Sequence, residues 1–198
     1  MPPTLRPYHP SDLPALYRVC LLTGDAGADA TPLYRDPDLL GHVYLGPYPA
    51  SDPALCFVVQ DDEGIAGYIV GTADTAGFDR WADEHWWPVL RQRYPRRDDP
   101  HDGTQDHLLV GLIHDEHHDG APAGYPAHLH IDLLPRVQGQ GWGRVLITAL
   151  TDALRDRGVP GVHLRVSQDN AGARAFYTRL GFAPDEDDVW LLSLAPRH

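Results

Sequence analysis

The chain has 198 residues, a formal net charge of −12 and apolar side chains at 42% of its positions. That length supports one substantial core and does not require a division into two domains, so residues 1–198 are expected to form a single domain. The acidic balance argues against a general nucleic-acid role, and no apolar run is long enough to span a membrane. All 16 basic residues are arginines, with Ala, Gly, Pro and Asp abundant, a usage that suggests GC-rich bacterial coding rather than a chemical requirement. The N-terminal residues lack the apolar core of a signal peptide, so a cytoplasmic location is expected. Cys20 and Cys56 both lie among apolar neighbours and read as buried free thiols.

Residues 4–8 read as a first strand. Ser11 or Asp12 can cap a helix in which Leu13, Leu16, Tyr17 and Cys20 recur at helical spacing. Residues 23–37, rich in Gly, Asp, Ala and Pro, read as a loop, and residues 38–45 as a second helix. Apolar runs at 55–59 and 65–70, joined by Asp61-Asp-Glu-Gly64, predict a hairpin. Residues 78–94 have a helical pattern containing Trp81, Trp86 and Trp87, with Pro88 predicting a kink or a new turn. Those tryptophans are expected to pack in a core, with substrate lining as the lesser reading. A polar connector over 95–103 leads to another helix over 105–117, carrying Leu108, Leu109, Leu112 and Ile113. Within its end, His114 and His117 stand three apart. The pattern lacks the order of a zinc-protease helix, and no metal is expected.

The centre of the chain is the apolar strand at 127–135, followed by Gln138-Gly-Gln-Gly-Trp-Gly-Arg144 and a helix. Val145, Ile147, Leu150 and Leu154 are expected to form the core face of that helix. A glycine loop opening a helix leaves backbone N–H groups unpaired, with the helix dipole adding partial positive charge, so it suits a phosphate or pyrophosphate. By itself Gly-x-Gly-x-Gly is a weak signal, compatible with a dinucleotide turn or a plain strand-to-helix connection. A second strand at 162–167 and the segment Asn170-x-x-Ala173-x-x-Phe176-Tyr177-x-x-Leu180-Gly181-Phe182 follow it. An acidic turn at 185–188 and a last strand at 189–194 complete the chain.

Taken together, Gln138-x-x-Gly141-x-Gly143 after an apolar strand and the Asn170 to Phe182 segment resemble the GNAT superfamily of acyl-CoA-dependent acetyltransferases. The resemblance implies an α/β (α+β) fold: a central mixed, mostly antiparallel sheet flanked by helices. Residues 78–118 would then be a helical insertion before the central strand. Acetyl-CoA is the implied co-substrate and an amine the implied acceptor. Neither nucleic acid nor membrane is implied, and a homodimer, common in that superfamily, is one possible assembly.

Further signatures resemble the acetyltransferase-like C-terminal domain of O-GlcNAcase across nearly the whole chain. They include Leu16-Tyr-Arg-Val-Cys20, Cys56-Phe-Val-Val59, Gly67-Tyr68, Gly71-Thr72 and Tyr125-Pro126. The animal domain is regarded as a pseudo-acetyltransferase with a decayed glycine loop. Here the loop is intact, and a free-standing bacterial relative able to bind the cofactor is expected.

By that resemblance the backbone at Leu133 and Leu134 would hold the pantetheine arm. The backbone of Gly139, Gln140, Gly141, Trp142, Gly143 and Arg144, entered at Gln138, would hold the pyrophosphate. Asn170 would contact the cofactor arm, and Tyr177 would protonate the departing thiolate. A core role for Tyr177 beside Phe176 is the plainer reading. His128, His130 and Asp132 alternate on one strand and so share a face, where an imidazole or carboxylate could take the acceptor's proton. Bonding to neighbouring strands is the structural alternative. Arg136, Arg144, Arg174 and Arg179 could attract phosphates or be solvated helix charges. A non-catalytic acyl-CoA-binding or interaction module is the alternative function.

Overall fold

The computed structural model describes residues 2–96, 103–115, 120–186 and 188–194. Seven strands form one sheet: β1 (Thr4–Pro7), β2 (Cys56–Asp61), β3 (Gly64–Thr72), β4 (Ala127–Leu133), β5 (Gly161–Arg165), β6 (Ala183–Pro184) and β7 (Val189–Ser193). Their spatial order is β1-β2-β3-β4-β5-β7-β6. Every pairing is antiparallel except β4 with β5, which run parallel. That parallel pairing is brief. Only Ala127 with Val162 and His128 with His163 are matched, and beyond them the two strands diverge.

The pleat distributes the chain over two cores. On one side Cys56, Val58, Tyr68 and Val70 meet α1 (Leu13–Thr23), through Leu16, Val19 and Cys20. The same core takes in α2 (Leu39–Tyr44), α3 (Pro47–Ser51), α4 (Thr75–His85), α5 (Trp87–Arg93) and α6 (Asp106–His114). On the other side Val59, Ile69, Ala127 and Leu129 meet α7 (Trp142–Asp156), and Tyr177 of α8 (Ala171–Arg179) joins them.

Most elements stand where the sequence predicts, with local departures. Asp12 stands at the N-cap of α1, but its side chain makes no capping bond there. His9 caps a 3-10 turn over Pro10–Asp12, and the Asp12 carboxylate instead accepts from the His9 N–H at 2.8 Å and from both Arg6 amino groups. The buried face of α7 is Leu146, Ile147, Leu150 and Leu154, whereas Val145 is 38% exposed. The short α3 and β6 fall in stretches to which the sequence assigns no element. Both cysteines are buried and free.

The three tryptophans of the helical segment pack on the α1 core. Trp87 is buried, and the Trp86 indole N–H donates to the His42 carbonyl at 2.9 Å. The kink at Pro88 is real: α4 stops at His85 and α5 restarts at Trp87, because a proline ring cannot follow an α-helical turn with its N–H removed. His114 Nε2 bonds the Tyr94 carbonyl at 2.8 Å, and His117 lies outside the described residues. Among the described residues no group of His, Cys, Asp and Glu is arranged to hold a metal, and no helix is long and apolar enough to cross a membrane.

Candidate active site

Where β4 and β5 part, a cleft of about 1030 Å³ opens. Ile131, Asp132 and Leu133 form one wall, and Arg165, Val166 and Ser167 the other. The divergence leaves main-chain groups on the two facing edges unmatched within the sheet, so the gap is suited to an extended ligand lying between them as another strand would.

The glycine loop closes one end of this cleft. Gly139 (φ 71°) and Gly141 (φ 89°) adopt the left-handed conformation that glycine reaches without steric cost, and nothing lies within 4 Å of where a Cβ would project from either. Gly141 stands at the N-cap of α7 with no side-chain cap. The N–H groups of the first turn therefore point into open space with the positive end of a 15-residue helix behind them. Two glutamines brace the loop: Gln138 Nε2 donates to the Leu133 carbonyl and Gln140 Nε2 to the Arg136 carbonyl, each at 2.7 Å. Gly143 serves a different need. A Cβ there would fall 2.8 Å from Phe176 Cζ, so its absence lets α8 approach α7.

Among the predicted cofactor residues, Leu133, Gln138, Gly139, Gly141, Gly143 and Arg144 line the cleft, as does Asn170. The Asn170 side chain also caps α8, its Oδ1 accepting from the Ala173 N–H at 2.9 Å, which leaves its amide N–H₂ for the cleft. Leu134, Gln140 and Trp142 do not line it. The Leu134 N–H donates to the Ala66 carbonyl at 2.8 Å and its side chain is buried in the α1 core. Trp142 packs with the α7 core. Of the arginines, Arg144 and Arg179 line the cleft, joined by Arg165. Arg136 is taken by Asp61, at 2.7 and 3.2 Å, and Arg174 lies over the Trp190 ring.

The three polar side chains of β4 share a face, but their surroundings differ. Thr75 Oγ1 donates to the Pro126 carbonyl at 2.8 Å, so it accepts from His128 Nδ1–H at 2.7 Å, and His128 Nε2 then accepts from the Tyr48 hydroxyl at 2.7 Å. This network assigns the neutral Nδ1–H tautomer. Burial, with His130 and His163 nearby, pushes the His128 pKa well below its ordinary value. Both nitrogens of His128 are thus engaged within the fold, and His128 does not line the cleft. His128→Ala is expected to destabilise the protein by about 2–4 kcal/mol, since it strands the buried Tyr48 hydroxyl and opens a cavity; denaturant titration checks this.

His130 has no hydrogen-bond partner among the described residues and stands edge-on to Tyr44 and Tyr48, with ring centroids 5.7 and 5.4 Å away. Desolvation lowers its pKa to about 4. It does not line the cleft.

Asp132 does line the cleft. It accepts a hydrogen bond from the Tyr68 hydroxyl, and burial raises its pKa to about 6 although contacts with Tyr68 and Thr23 pull it down. Tyr177, from α8, also lines the cleft, only 8% exposed and wedged between Phe176 and Phe182. Its hydroxyl has no partner among the described residues. Its pKa is raised chiefly by burial and then by the negative charge of Asp132. A carboxylate and a phenol thus line one ligand-sized space. Thr23, Tyr44, Tyr68 and Arg165 are the site residues that sequence reasoning missed. Tyr68 stands in the Gly67-Tyr68 signature without a role attached, and no local pattern marks the other three; all four reach the site through pairing and helix packing.

A splayed parallel strand pair, a glycine-rich anion cradle at the divergence and a helix-borne tyrosine define an acyl-CoA-dependent acyltransferase class of fold. The chain matches the Acetyltransferase (GNAT) family over residues 28–182, and it belongs to that family. The crystal structure of SsHAT superposes with a TM-score of 0.88 at 41% identity, covering 98% of each chain. Protein O-GlcNAcase of Rattus norvegicus is 26% identical over 181 residues, which are 90% of this chain and 20% of that protein. Mycothiol acetyltransferase of Nocardia farcinica is 35% identical over 124 residues, 63% of this chain and 31% of its own length. The chain therefore spans only about a fifth and a third, respectively, of the length of these two relatives. A phosphinothricin acetyltransferase from Sinorhizobium meliloti, solved in complex with AcCoA, shares the fold with a TM-score of 0.56 at 16% identity.

Proposed function

We propose that this chain transfers an acetyl group from acetyl-CoA directly to an amine, with both substrates held in the β4–β5 cleft. The observation that carries the reading is Asp132 and Tyr177 facing one cleft whose end is an open glycine cradle. In this reading residues 1–198 act as one domain, with 78–118 as a helical insertion, and the protein works in the cytoplasm. A homodimer is compatible with it.

The cradle supplies what a pyrophosphate needs: main-chain donors, the helix dipole and space free of Cβ atoms. Arg144, Arg165 and Arg179 add positive charge along the cleft, which offsets the acidic total locally. At neutral pH Asp132 is ionised, because its pKa of about 6 lies below 7, yet it is more basic than an ordinary carboxylate. It takes the proton that the acceptor nitrogen sheds as it bonds to the acyl carbon. Tyr177 keeps its proton through neutral pH and delivers it to the departing sulfur. His128 holds Tyr48 and β4 in place, and His130 stays neutral beside Asp132.

The test is release of free CoA thiol from acetyl-CoA in the presence of spermidine, tyramine or a lysine-containing peptide. Tyr177→Phe is expected to lower kcat by roughly 10–100-fold with little change in KM for acetyl-CoA, since it removes a proton donor and no binding surface. Equal kcat in the two proteins would remove Tyr177 from the mechanism. The alternative, a non-catalytic acyl-CoA-binding or interaction module, draws support from the likeness to O-GlcNAcase, whose name is not that of an acetyltransferase. Acetyl-CoA binding without any thiol release would favour it.

A further inference from the structure

We propose that Tyr68 is a positioning residue for acetyl transfer, fixing the orientation in which Asp132 meets the acceptor amine. This inference rests on Asp132 being the base. Tyr68 lies on β3 directly across from Asp132 in the antiparallel register, and its ring is fully buried. Cross-strand neighbours on one face stand about 5 Å apart, so a phenol from one strand reaches over to the carboxylate of the other. Its hydroxyl donates to Asp132 Oδ2, and Asp132 lines the cleft.

The rest of the phenol's surroundings keep it there. The Cys20 thiol, on α1 and 3% exposed, is in hydrogen-bond contact with the Tyr68 oxygen. Val70, next on the same face of β3, and Leu16 and Val19 of α1 close the core around the ring. A buried phenol with a single strong acceptor has one low-energy arrangement, and its partner carboxylate inherits that order. At the end of α1, Thr23 donates its hydroxyl hydrogen to the Val19 carbonyl at 2.8 Å, and it also contacts Asp132. The Tyr68 proton is therefore the donor committed to Asp132, while the Thr23 proton is shared with its own helix.

The titratable groups around Asp132 are Tyr68 from β3, Cys20 from α1, Tyr177 from α8 and His130 on its own strand. Cys20 and the two tyrosines are neutral through the working range, because burial raises all three, and His130 is neutral above pH 4. Charge changes near pH 6 at this spot thus belong to Asp132. The Tyr68 bond favours the ionised carboxylate, so loss of the bond moves that titration upward.

The experiment compares the whole protein, Tyr68→Phe, Asp132→Asn and Tyr17→Phe. Tyr17 bonds His42 at 2.9 Å, away from the cleft, and its variant reports the generic effect of removing a part-buried phenol hydroxyl. Two readouts are taken: the Asp132 carboxyl titration by ¹³C NMR, and the pH profile of acetyl-CoA thiol release with water or the best amine of the panel. In Tyr68→Phe the NMR midpoint and the acid limb of the profile are both expected to rise by about one pH unit, with kcat down roughly tenfold and KM for acetyl-CoA unchanged. Tyr17→Phe is expected to leave both midpoints in place. An unmoved midpoint in Tyr68→Phe overturns the proposal, and so does a moved midpoint with unchanged kcat. Full activity in Asp132→Asn would instead sink the base assignment itself. No turnover by the wild-type protein with any acceptor would overturn the enzymatic reading, and this inference with it.

Discussion

Asp132→Asn is expected to lower turnover by roughly 10²–10⁴-fold, the usual contribution of a positioned general base, and to raise stability at neutral pH. The second effect follows from linkage. In the folded protein Asp132 has a pKa of about 6, against an ordinary carboxylate value of 3.8. A group raised on folding adds stability that is complete below its unfolded pKa, and that contribution is lost as pH climbs through the folded value. The window here runs from about pH 4 to pH 6. Above it the wild type carries a desolvated carboxylate, and asparagine removes that charge while its carbonyl oxygen can still accept from Tyr68. The gain is about 1–3 kcal/mol, from a two-unit shift at a partly solvated site, which is about 2–10 °C in Tm for a chain of this size. Below pH 4 the wild type is protonated too, and the gap should close. Thermal melts at pH 8 and pH 4 with thiol-release rates check both halves. An asparagine variant less stable than wild type at pH 8 would mean that the carboxylate is held by partners strong enough to outweigh its burial.

Gly141→Trp is expected to abolish acetyl-CoA binding measured by calorimetry. The wild type should bind in the micromolar range, roughly −8 kcal/mol, and the variant at least about 100-fold more weakly. Two causes act together, and Gly141→Ala separates them. Any Cβ at φ 89° strains the backbone, at about 1–2 kcal/mol, so alanine distorts the cradle without filling it. The indole of tryptophan would also project into the space now open beside Gly141, over the N–H groups that face the cleft. Alanine should therefore weaken binding modestly and tryptophan remove it. Wild-type affinity in a folded Gly141→Trp protein would place the cofactor elsewhere.

The acid side of the stability profile carries an opposing contribution. His130 has a folded pKa of about 4, and His128 lies well below its ordinary 6.5. A group depressed on folding contributes stability present above its unfolded pKa and lost as pH falls through the folded value. Between pH 6.5 and 4 the histidines thus weaken the fold while Asp132 strengthens it. The acid shoulder should steepen in Asp132→Asn, where only the histidines remain.

The glycine cradle was legible in the sequence because its chemistry is local. Gly139, Gly141 and the start of α7 are within a few residues of one another, and the positive φ angles follow from glycine alone. Strand periodicity likewise put His128, His130 and Asp132 on one face, since that follows from a repeat of two. The core face of α7 was one residue off: helical periodicity accepts either Val145 or Leu146 beside Ile147, and only the sheet's position buries Leu146. The short α3 and β6 were not legible, because elements of five and two residues carry no periodicity and depend on neighbours for their hydrogen bonds.

What the sequence by itself determined is the family, the order of the main elements, the anion cradle and the candidate polar face of β4. What the tertiary structure decided is the division of labour on that face. His128 and Asp132 are four residues apart and alternate alike. Yet Tyr48, 80 residues from His128, locks the imidazole, while Tyr68, 64 residues from Asp132, holds a carboxylate that lines the cleft. A side chain's protonation state and freedom are set by the groups that surround it in space. For buried polar residues those groups arrive from distant parts of the chain, through strand register and helix packing, which no local spacing encodes.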